Sequence, residues 1–157
     1  MRQVNTMTIQ SLLARLNSNH EVSMQENEGF VRIENQANGN YLVLYEEPAW
    51  YEGPEKAEYE YIVRFSTQHR HFHDLKSAID YIMRIVEDKT LAVEFFDLSG
   101  NDCFGGDIDR EKADPLTAAV LAKFGFAGAN IKKCLVEIHS WSGRYDVSRM
   151  PVSMLPG

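Results

Sequence analysis

Three histidines alternate in the segment HRHFH: His69, His71 and His73, followed directly by Asp74. Imidazole nitrogens are good ligands for zinc and other divalent transition metals, and a catalytic zinc needs three protein ligands and one open position. Side chains two apart on a strand share a face. A strand running on through His73 therefore gathers the three rings, on the face of Val63 and Phe65. In a polar turn the same residues cap, pack or face water. The chemistry implied by the first arrangement is a metal-dependent or histidine-based hydrolase, with zinc or another divalent transition metal as its cofactor.

His139 is a second candidate. With Ser142-Gly143 as a hairpin turn, His139 faces Asp146 and Trp141 faces Arg144. A carboxylate beside a histidine orients the ring for base catalysis. Ser140 points to the other face in this register and supplies no nucleophile, so cross-strand stabilisation of the hairpin is the simpler account. The loop DLSGNDCFGGDID at 97–109 offers oxygens, yet Asp102 stands where a calcium loop needs glycine and Ile108 where it needs the bidentate glutamate. No glycine-rich phosphate loop, GxSxG, HExxH or CxxC occurs.

The segment 45–61 has another character. Glu46, Glu47, Glu52, Glu55, Glu58 and Glu60 stand against the single Lys56, and Tyr45, Trp50, Tyr51, Tyr59 and Tyr61 are interleaved. Aromatic side chains anchor protein interfaces, and carboxylates around them steer a basic partner. Tyr59 and Tyr61 fit a strand pattern. Trp50 and Tyr51, in a connection holding Pro48 and Pro54, do not. The expected binding residues are Trp50, Tyr51, Glu46, Glu47, Glu52 and Glu55.

The elements that must position these residues can be read from periodicity. Tyr59, Tyr61, Val63 and Phe65 alternate with Glu60, Ile62 and Arg64, which predicts a strand packed on one face. Leu75, Ala78, Ile79, Ile82 and Val86 recur at helical spacing, with Asp74 as N-cap. Leu91, Val93 and Phe95 predict the next strand. Upstream, Ile9, Leu12, Leu13 and Leu16 predict a helix capped by Thr8. Short strands follow at Val22–Met24, 30–34 and 41–45, the last two joined by an Asn38-Gly39 hairpin that sets Ile33 opposite Leu44. Residues 97–114 read as a loop, Asp114-Pro115 opens a third helix with Leu116, Ala119, Val120 and Phe124 as its stripe, and strands at 134–141 and 145–149 close the chain. The order is α-β-β-β-β-α-β-α-β-β, a single α+β domain over residues 1–157 with a largely antiparallel sheet, about three helices packed on it, and loose tails at 1–7 and 151–157.

The sequence of 157 residues carries 16 basic and 23 acidic side chains, a net charge of -7. That balance disfavours a nucleic-acid backbone or an anionic membrane as partner, and suits a protein with a basic surface. No run approaches the roughly 18 apolar residues of a membrane span. The start MRQVNTMTIQSLLARL lacks a signal-peptide pattern, and Cys103 and Cys134 are widely separated. These features predict a cytoplasmic protein with reduced thiols. The early α-β-β-β order followed by α-β, with the acidic charge, resembles the small acidic chaperones of type III secretion; those commonly end on a helix, and this chain ends on a hairpin. The function expected is a non-catalytic protein-binding or regulatory module, of immunity, anti-defence or chaperone type.

Overall fold

Alternation and helical periodicity become nine strands and three helices in the computed structural model, which describes residues 11–12, 14–16, 22–27, 30–48, 59–110, 116–124 and 131–155. The class is α+β and every strand pairing is antiparallel. The chain divides into two compact units, Met1–Val86 and Glu87–Gly157, each with its own sheet.

The first unit holds α1 (helical at 11–12 and 14–16), the strands β1 (Val22–Asn27), β2 (Phe30–Asn35), β3 (Tyr41–Pro48), β4 (Tyr59–Phe65) and β5 (Gln68–Phe72), and helix α2 (Leu75–Val86). The sheet is a meander in the order β1-β2-β3-β4-β5. Val31, Ile33, Leu42, Leu44, Val63 and Phe65 share one face and are buried, as their alternation predicts. α2 lies over this face: Tyr81 meets Phe72 with ring centroids 5.2 Å apart, and Arg70 stacks over Tyr81. Asp74 caps α2, its two oxygens accepting from the Ser77 N–H at 2.8 Å and the Ser77 hydroxyl at 2.9 Å. These bonds to the charged form, the backbone one foremost, hold the Asp74 carboxyl below its ordinary range.

The β2–β3 turn is wider than a two-residue hairpin. The Asn35 N–H donates to the Asn40 carbonyl and the Gly39 N–H to the Asn35 carbonyl, with Gly39 at φ 80°. Ile33 therefore faces Leu42, and Leu44 faces Val31. The shift is two residues, so the buried face is unchanged.

The second unit holds β6 (Thr90–Phe96), β7 (Asp102–Asp109), α3 (Leu116–Phe124), β8 (Leu135–His139) and β9 (Val147–Pro151), with sheet order β7-β6-β8-β9. Phe95 is its centre, stacked on Phe104 at 4.7 Å and edge-on to Phe124 at 4.9 Å. β7 occupies the middle of the stretch 97–114 read as a loop. The first turn of that stretch is a structural device: Asp97 accepts from the backbone N–H groups of Ser99 and Asn101. Residues 151–155, read as part of a loose tail, belong to the fold, because Val152 and Leu155 are buried in this core. Residues 1–7 and 156–157 lie outside the described residues.

Candidate functional site

The histidine segment is a strand of its own. β4 ends at Phe65, Ser66 adopts a left-handed φ of 56°, and β5 turns back against β4. The register places Arg64 opposite His69 and Ile62 opposite His71. His69 and His71 thus lie on the face opposite to Val63 and Phe65, the reverse of the side that a continuous strand would give them, because a tight turn intervenes. β5 stops at Phe72, so His73 sits in the bend before α2 and does not continue the row. Among the described residues, no group of three or more His, Cys, Asp or Glu side chains is placed to hold a metal ion.

What the register does bring together is a histidine and a buried carboxylate. His71 Nδ1 lies 2.5 Å from Oε1 of Glu60, on the neighbouring strand. Glu60 is only 3% exposed, whereas the His71 side chain is 42% exposed. With Glu60 ionised, the carboxylate accepts from His71 Nδ1 and leaves Nε2 as the nitrogen away from the carboxylate. Oε2 of Glu60 is buried with no hydrogen-bond partner among the described residues. The His69 ring stands edge-on to His71 with centroids 5.2 Å apart.

The surrounding face follows from the same pairings. Glu47 is directly opposite Glu60, and Tyr45 is opposite Ile62. Arg64, exposed, faces both Val43 and His69. Alternation alone assigns Glu60 and Ile62 to a solvated face; both are buried. Glu46 points the other way. It is 1% exposed and shares the α2-side face with Tyr61, so it does not join Glu47 on a common surface. β3 runs to Pro48, paired with Tyr59, and that extension fixes the alternation. Trp50, Tyr51, Glu52 and Glu55 lie outside the described residues, between these two paired positions.

His139 and Asp146 do not pair. Asp146 Oδ1 instead accepts from the Ser140 N–H at 2.7 Å and the Ser140 hydroxyl at 2.9 Å, and the Tyr145 N–H donates to that hydroxyl. β8 ends at His139 and β9 begins at Val147, so residues 140–146 form a wider turn than Ser142-Gly143 alone, in which the carboxylate meets Ser140. Cys103 and Cys134 are not in disulfide linkage; burial is the main cause that pushes the Cys134 thiol up. No described helix is long and apolar enough to cross a membrane.

The residue that sequence reasoning missed is Glu60. Its signal was present but weak: it shares a face with Ile62, an apolar residue on a supposedly polar side. No family model matches the chain, and no curated protein or solved structure matches it.

Proposed function

We propose that this protein is a non-catalytic binding or regulatory module of the cytoplasm, of immunity, anti-defence or chaperone type, engaging another protein through a basic surface on that partner. The observation that carries the reading is the β3–β4 ladder. It pairs through Glu47–Glu60 to Pro48–Tyr59, so the acidic and aromatic segment 49–58 leaves from and returns to adjacent positions on a regular sheet. Loops held at both ends by a rigid scaffold are common binding elements. Tyr45 and Glu47 stand on one face beside the start of that segment, extending its aromatic and acidic character onto the sheet. The net charge of -7 favours a basic partner. The experiment is affinity purification with the Trp50→Ala/Tyr51→Ala variant. Loss of a co-purifying basic protein with an unchanged melting temperature supports the reading. Equal loss of folding assigns both aromatics to the core and defeats it.

A second reading, histidine-based hydrolysis, is favoured by one observation, the Glu60–His71 contact, which orients an imidazole as a general base requires. Hydrolysis of activated esters that disappears in His71→Ala and persists in His73→Ala supports it; identical rates in all three proteins exclude it.

A further inference from the structure

We propose that His69 and His71 form a two-histidine site for a single divalent transition cation, zinc, nickel or copper, with Glu60 as the residue that positions His71. The inference is independent of the partner-binding reading and needs no contribution from His73.

The geometry has three parts. Both imidazoles project from the same face of β5, on either side of Arg70, which the strand turns toward α2. Their centroids are 5.2 Å apart. Two imidazoles sharing one tetrahedral metal, with metal–nitrogen bonds of about 2.1 Å, have centroids about 5 Å apart, which matches the observed spacing; rotation of the edge-on rings then turns a nitrogen of each toward the shared metal. Thirdly, a metal-ligating histidine characteristically gives its other ring N–H to a carboxylate, which fixes the tautomer and raises the basicity of the ligating nitrogen. Glu60 makes that contact to Nδ1 of His71 at 2.5 Å.

Charge on this face divides. Arg64 lies directly across from His69 and opposes a bound cation, whereas Glu60 and Glu47 favour one. Glu60 is buried and engages His71 with one oxygen only, so its negative charge acts through a medium that screens it less than water does. With two protein ligands, water completes the coordination, and both histidines are exposed enough to admit it. Such a site suits reversible binding of a cation from solution rather than a closed structural metal. Imidazole ligands select zinc, nickel and copper over magnesium and calcium, which prefer oxygen.

The test is calorimetric titration of the tag-free full chain with zinc chloride alone, followed by magnesium chloride as a control. The expected result is one zinc per chain, no magnesium binding, and loss of that binding in His69→Ala and in His71→Ala. His69 is exposed, so its variant tests the site without endangering the fold. His73→Ala should bind as the wild type does. Glu60→Gln should weaken binding by about 10–100-fold, the range for removing an outer carboxylate. Arg64→Ala should tighten it. Absence of stoichiometric zinc binding overturns the proposal, as does zinc binding that survives His69→Ala, which would place the metal on Cys103, Cys134 or other groups. Loss of binding in His73→Ala overturns the two-histidine assignment. An unchanged affinity in a folded Glu60→Gln protein removes Glu60 from the positioning role.

Discussion

Replacing His71 by alanine strands a buried carboxylate, at a cost set by the burial of Glu60 and by the one contact it loses. Glu60 is 3% exposed, its Oε2 already has no hydrogen-bond partner among the described residues, and His71 supplies the contact to Oε1. Leaving a buried acceptor unsatisfied costs about 1–3 kcal/mol, more when it is charged. The His71 side chain is 42% exposed, so water screens the contact and takes the place of the ring in part, which argues for the lower half of that range. His71→Ala should therefore lose about 1–2 kcal/mol, or about 2–8 °C in melting temperature for a chain of this size. The assay is a reversible thermal or urea melt followed by circular dichroism. Replacing both partners with apolar groups removes the stranded charge, so His71→Ala/Glu60→Met should recover most of the loss. A single variant within about 0.5 kcal/mol of wild type, the ordinary scatter of surface substitutions, refutes the argument. So does a double variant no more stable than the single one.

Further outcomes follow from the fold. Asp74→Ala should lower the melting temperature by removing the α2 cap. The folded carboxyl titrates below its ordinary value of 3.8, so the cap's contribution is full above that pH and fades as pH falls through the folded value; the gap between wild type and variant in parallel melts should close on acidification. Gly106→Val should cost about 1–3 kcal/mol by overpacking, because a Cβ at Gly106 meets two ring carbons of Phe124 at 3.1 Å; a melt equal to wild type would show that Phe124 moves aside freely. Leu42→Ala, at a fully buried position of the first unit, should cost about 2–5 kcal/mol by denaturant titration.

The elements with apolar periodicity were legible in the sequence. α2 shows its stripe, its cap and its boundaries, because helix burial and N-capping leave local marks. β2, β3, β4 and β6 show apolar alternation, although β3 runs on past the expected end to Pro48. β5 and β7 were not legible. β5 is an edge strand with His69, Arg70 and His71 all exposed, so burial imposed no alternation on its sequence. β7 carries Gly105 and Gly106 where strand propensity is low; the close approach of Phe124 explains Gly106, and that ring is distant in sequence. The candidate site suffered the same loss. His69 and His71 were visible as ligand-type residues, but the Glu60–His71 contact depends on a hairpin register that Ser66, at positive φ, determines. Glu46 was misplaced because β3 runs on to Pro48 and turns it toward the α2 side of the sheet.

The proposed function places a basic partner against the acidic segment between β3 and β4. The most direct measurement is the association rate of a captured partner with wild type and with Glu52→Gln/Glu55→Gln, at low and at high salt. Electrostatic steering by exposed carboxylates raises association rates in a salt-dependent way. Binding through these carboxylates predicts slower association for the variant, a flatter salt dependence and an unchanged melting temperature. Identical rates and identical salt dependence in the two proteins would contradict it.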